Sequence, residues 1–167
     1  MNFENDLFRF GTSGTLIALY GAVDHAARRA GGDPLRARVK PPRWLGAVIF
    51  TSVLVFYLTI RPSGGPWAGG LGNFAGIALA ALAMAFRWAT RGGIAALRQP
   101  DVASRMLFYV ALPMAVGSAP GALALTLPAV IASAWCSRRE DALLLAEHGT
   151  PWARRMATSA RWVPGIW

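Results

Sequence analysis

Two short polar clusters hold the residues of this chain best suited to chemistry. One is Arg98-Gln99-Pro100-Asp101. The other is Arg139-Glu140-Asp141. Between them, Met106 to Cys136 carries no charge at all. Two helices folded back on each other through that stretch would return its ends to one place, so the clusters are expected to meet. An arginine beside two acids suits a zwitterion. The planar guanidinium donates two parallel hydrogen bonds to a carboxylate. S-adenosylmethionine has the matching groups: a carboxylate for Arg98, an amine and ribose hydroxyls for Glu140 or Asp141, and a sulfonium that prefers an anionic wall. The same residues also allow a plainer role, interface arginines pairing with acids at a helix start.

The elements that must position these clusters read as membrane helices. The chain is 54% hydrophobic and only 15% charged, against about 25% charged in an ordinary soluble domain. The net charge of +9 would suit nucleic acid, but there is no basic helix or finger motif, and the basic residues fall in blocks between apolar segments. A span needs about 20 mainly apolar residues. Five segments qualify: 7–26, 44–60, 70–88, 102–116 and 122–136, followed by a polar tail, 137–167. The first is the weakest, with Arg9 near one end and Asp24-His25 at the other. The third carries Gly72, Gly76 and Ala80 at intervals of four, a small-residue stripe for close helix approach. Gly117-Ser118-Ala119-Pro120-Gly121 breaks the last apolar run into a C-terminal helical hairpin. Pro113 and Pro128 are expected to kink its arms, since each removes a backbone hydrogen bond. No repeat or linker divides the chain, which reads as one all-α integral membrane domain.

Loop charge sets the orientation. Arg28, Arg29, Arg36, Arg38, Lys40 and Arg43 separate the first two spans. Arg87, Arg91, Arg98 and Arg105 separate the third and fourth. Arg138, Arg139, Arg154, Arg155 and Arg161 follow the last. Fifteen of the seventeen basic residues thus fall on one side. The positive-inside rule gives an N-terminus outside and a cytoplasmic C-terminus. Heavy Arg and Ala usage suits a high-GC bacterial source, hence a bacterial inner membrane. The acidic N-terminus lacks the basic start of a cleaved signal peptide. Cys136, His25 and His148 have no metal-ligand spacing.

Beyond the last span, Ser137 is expected to cap a new helix running to His148, with Glu140 and Asp141 in its first turns. Gly149 suits its stop. Thr150-Pro151 restarts an amphipathic helix, Thr150 as cap, with Trp152 and Met156 on a face that lies in the membrane interface. Asp24-His25 reads as a solvated group pairing with Arg28 and Arg29. The tryptophans (Trp44, Trp67, Trp88, Trp135, Trp152, Trp162, Trp167) read as interface belts.

Over roughly residues 70 to 167 the order of residues resembles the isoprenylcysteine carboxyl methyltransferase and phospholipid methyltransferase superfamily. Thr90 and Gly92, then Arg98 and Pro100, match its first motif. Glu140 with Asp141, then Leu144, Gly149 and Trp152, match the second. Val163-Pro164-Gly165 is similar to a shortened version of its end. The resemblance implies a small bundle of membrane helices, S-adenosylmethionine held between the two motifs at the cytoplasmic interface, and a lipid substrate entering laterally. It places Arg98, Gln99, Pro100, Arg139, Glu140 and Asp141 at the cofactor, with Arg98, Gln99 and Glu140 as the catalytic set.

The departures lie in the first motif. Gln99 stands where the family has His. Ile94 and Ala95 replace Tyr-Arg, Val102 replaces the second Tyr, and Ser104 replaces a Gly. Methyl transfer from a sulfonium is an in-line displacement, for which a protein mainly supplies position and a dry site. A carboxylate is already ionised at neutral pH, so it needs no titratable base. An amide donates and accepts, so Gln99 suits a hydrogen-bonding role better than a basic one. The expected activity is methylation of a lipophilic carboxylate or thiol. The alternative is a catalytically degenerate member serving as a structural or assembly subunit of a membrane complex, docking through the third-span stripe and the weak first span. A small transporter fits least, given the few intramembrane charges and no inverted repeat.

Overall fold

The structure, a computed structural model, describes residues 3–30, 43–60, 70–91 and 97–162. They form α1 (Phe3–Ala30), α2 (Arg43–Ile60), α3 (Gly70–Ala89), α4 (Pro100–Ala115), a helical run α5 (Ala119–His148) and α6 (Thr150–Thr158). No strand occurs among the described residues, where the one extended pairing is a parallel bridge between Leu97 and Ala160. Two of these helices, Gly70–Ala89 and Ala119–His148, are long and apolar enough to cross a membrane, and Gly46–Leu58 is a shorter apolar stretch.

Local chemistry explains the break between α4 and α5. Gly117 has φ 67°, the left-handed conformation that glycine adopts without a Cβ penalty. Ser118 then caps the next helix, its Oγ accepting from the Gly121 N–H at 3.0 Å. The two helices touch again further on, where Thr126 Oγ1 donates to the Tyr109 carbonyl at 2.8 Å.

The core lies where α1, α2, α3 and α4 meet the start of α5. Phe56, Leu112 and Leu125 are sealed within it, and Tyr20 stacks on Phe108 with ring centroids 4.2 Å apart. The small-residue stripe of α3 is spent on α4. Gly76, Ala80 and Ala83 are buried, and a Cβ on Gly76 would run into the Ala115 backbone. Large apolar side chains point outward instead. Phe50, Leu54 and Leu58 repeat every four residues on α2, and Leu123, Leu127 and Ile131 do so on α5. Leu71 on α3 is 89% exposed.

Three local expectations are corrected. No new helix begins at Ser137. From Ala129 to His148 the sequence holds no Gly or Pro, so nothing interrupts the backbone ladder. The Ser137 hydroxyl, buried, accepts from Trp162 rather than capping. Trp152 does not lie on a membrane face, because it is completely buried in the protein. Gly149, at φ 57°, occupies the position ahead of α6, and Thr150 lies inside that helix. Near Pro128, residues Ala122–Thr126 form a π-helical turn. Pro128 has no N–H for the carbonyl one turn back, and a widened turn accommodates that loss.

Candidate functional site

The strand-like segment 97–99 leads into α4, with Pro100 at its first turn, where a missing N–H is harmless. It lies against 160–162, the segment following α6. The Arg98 N–H donates to the Ala160 carbonyl at 2.8 Å, and the Gln99 N–H to that of Arg161 at 3.1 Å. Because α4 starts here and α5 passes the same place with Ser137 to Asp141, side chains some forty residues apart in sequence come together.

Asp141 is the electrostatic centre. It is 3% exposed, and Arg98 is 4% exposed. Arg98 Nη1 approaches Asp141 Oδ2 at 3.5 Å. Arg161 reaches the same oxygen through Nε and Nη2, each at 3.0 Å. Gln99 is fully enclosed. Its Nε2 donates to the Ser137 carbonyl at 3.3 Å and to Glu140 Oε2 at 3.5 Å. Its Oε1 accepts from Trp162 Nε1 at 3.0 Å.

Of the residues named from sequence, Arg98, Gln99, Pro100, Glu140 and Asp141 are therefore gathered. Arg139 is not. It is exposed, with its guanidinium over the Trp135 ring at 5.5 Å, and Trp135 packs edge-on against Trp44 at 4.9 Å. Thr90 is buried and its hydroxyl donates to the Phe86 carbonyl. Gly92, Ile94, Ala95 and Val163-Pro164-Gly165 lie outside the described residues, as do Trp67 and Trp167.

Two polar atoms of the cluster are sealed without a partner: Arg98 Nε and Asp141 Oδ1. Buried polar groups are nearly always satisfied. One donor and one acceptor of the cluster have no hydrogen-bond partner within the protein.

Sequence reasoning missed the contribution of Arg161 and Trp162. The expected pair of Asp24 with Arg28 forms, Oδ2 to Nη2 at 2.8 Å. Sequence reasoning missed that Asp24 Oδ1 also accepts from Arg87 Nε at 2.6 Å. Tyr20 Oη and Ser104 Oγ share a hydrogen bond at 2.9 Å, and Arg105 pairs with Asp101 at 3.6 Å. Arg87 and Arg105, read as loop charges, thus sit on helices; Arg87 ties α3 to α1, and the Tyr20–Ser104 bond ties α1 to α4. The signal available was spacing: Asp101 and Arg105 are four apart, the reach of a helical ion pair. Among the described residues no group of His, Cys, Asp and Glu gathers as a metal-ligand set.

No family model matches this chain, and no curated protein matches it.

Proposed function

We propose that this chain is a membrane-embedded methyltransferase-like protein of the isoprenylcysteine carboxyl methyltransferase type. In this reading it has five spans, an external N-terminus and a cytoplasmic C-terminus. It binds S-adenosylmethionine between the start of α4 and the Ser137–Asp141 stretch of α5, and it acts on a lipophilic carboxylate or thiol. The observation that carries the proposal is the meeting of Arg98 and Gln99 with Glu140 and Asp141, the halves of two separated motifs. The outward apolar stripes on α2, α3 and α5 suit a hydrocarbon solvent. The Trp44–Trp135 pair beside Arg139 suits a headgroup layer at the same level as the cluster.

The cofactor supplies a methyl group on a sulfonium. Arg98 would hold its carboxylate, with Nε the donor still open. Asp141, through Oδ1, and Glu140 would accept from its amine and hydroxyls. Gln99 keeps Glu140 in place and, enclosed as it is, helps exclude water. Such a site contributes orientation and dryness, and a carboxylate nucleophile arrives already ionised, whereas a thiol must first give up its proton to water.

A second reading has its own observation. Arg98 already pairs with Asp141, Asp141 with Arg161, and Gln99 with Ser137 and Trp162, so the cluster also works as an internal lock in a protein without chemistry, serving as a subunit of a membrane complex. The α3 stripe cannot be the docking face in that reading, since α4 covers it.

Titration of the detergent-purified protein with S-adenosylmethionine separates the two. Micromolar binding that Arg98→Ala and Glu140→Ala abolish supports the enzyme reading. No binding up to millimolar concentration sinks it and leaves the lock.

A further inference from the structure

The segment 160–162 touches Arg98, Gln99 and Asp141 of the candidate cofactor site. Its carbonyls take the N–H groups of Arg98 and Gln99. Its Arg161 side chain takes Asp141 Oδ2 at 3.0 Å, and its Trp162 indole takes Gln99 Oε1 and Ser137 Oγ at 3.0 and 3.1 Å. We propose that this strap is a gate: it satisfies the site from within, and a zwitterionic cofactor enters only when the Arg161–Asp141 and Trp162–Gln99 contacts part. The inference rests on the cofactor reading above.

Three features argue for a gate rather than a permanent wall. The strap is attached by hydrogen bonds and one ion pair, and beyond the small buried Ala160 its side chains, Arg161 and Trp162, are only half-buried. Arg161 is 24% exposed on its side chain, against 3% for Asp141, so the strap covers the site from the solvent side. The pairing beneath it is incomplete. Arg98 meets Asp141 through one contact of 3.5 Å, with Nε and Oδ1 unmatched, whereas a settled guanidinium–carboxylate pair is short and two-pronged. A ligand offering a carboxylate to Arg98 and an amine to Asp141 would complete both. Arg161 holds Asp141 as a cationic ligand group would, so strap and ligand compete for one carboxylate. The closed strap therefore lowers the ligand's apparent affinity, which scales with the fraction of molecules that are open.

The test uses the full chain in detergent, with Trp162→Phe and Arg161→Gln, and Arg91→Gln as a charge-loss control away from the site. Two quantities are read. Hydrogen exchange at the Arg98 and Gln99 amides, which donate to the strap, reports its opening without ligand. Titration with S-adenosylmethionine reports competition. The gate predicts that both strap variants exchange at least tenfold faster at these amides and bind roughly tenfold tighter, one buried hydrogen bond of competition having been removed. The control should leave both readings unchanged. Wild-type binding that weakens in the strap variants would show the strap to be part of the ligand's own wall, overturning the gate while the cofactor reading stands. Unchanged exchange would also overturn it. No binding in any form would sink the gate and the cofactor reading together.

Discussion

Arg98 and Arg161 share one carboxylate oxygen, Oδ2 of Asp141, at 3.5 and 3.0 Å. The nearer arginine comes from the end of the described chain, and the farther, more buried one comes from the start of α4. A single acid therefore joins three parts of the fold, and its removal strands a guanidinium that water scarcely reaches.

Asp141→Ala should destabilise the protein by about 3 kcal/mol, the order expected when one partner of a buried pair is lost. Arg161→Ala should cost only about 1 kcal/mol, because Arg161 is partly solvated and Asp141 keeps Arg98. Unfolding midpoints in mixed micelles would check the order. An Asp141 variant as stable as wild type would mean that Arg98 finds another partner.

Gly76 carries the tightest helix contact. A methyl group there meets the Ala115 backbone, and backbone cannot rotate away as a side chain can. Gly76→Ala should cost ~2 kcal/mol through overpacking, and Gly76→Val more. Ala75→Val, on the neighbouring exposed position, is the matched control and should change little. Thermal melts of the three variants in one detergent would compare them directly.

The ion pairs of Asp24 should divide unevenly. Arg87 is 7% exposed on its side chain and Arg28 is 60% exposed. Arg28→Ala should shift stability by no more than about 0.5 kcal/mol. Asp24→Ala leaves the enclosed Arg87 without its carboxylate and should cost about 2 kcal/mol. A double change, Asp24→Ala with Arg87→Leu, should recover part of that loss, since an apolar replacement removes the stranded charge. Equal effects of Arg28→Ala and Asp24→Ala would contradict the division.

How much was legible in the sequence follows from which forces act locally. Each apolar segment became part of a helix, because helix formation answers to composition and to glycine and proline nearby. The break at Gly117-Ser118 was visible for the same reason. So was the meeting of Arg98 with Asp141, since folding back an uncharged stretch leaves little choice about where its ends go. Ser137 misled because its residue type suits a cap, while the absence of any helix breaker around it decided the outcome. Trp152 misled because a four-residue period says which side chains share a face but not whether lipid or protein covers it. Arg161 and Trp162 were unreadable as site residues, since their partners lie twenty to sixty residues back and no local pattern links them. Arg87 was hidden likewise by a partner on another helix.

Orientation is the part of the proposal most directly exposed to experiment. The loop between the second and third spans carries one basic residue, Arg61, while α6 and its flanks carry several. Positive charge is retained on the cytoplasmic side during insertion. Cys136 is the chain's one cysteine, so Cys136→Ser gives a clean background for labelling. In that background Ser63→Cys should react with a membrane-impermeant maleimide on intact cells. Ala157→Cys, exposed on α6, should react only after permeabilisation. The reverse pattern would place the Arg98–Asp141 cluster on the outer face, away from cytoplasmic S-adenosylmethionine. Labelling of both positions on intact cells would mean an even number of crossings between them, one fewer or one more than the three that the five-span reading puts there.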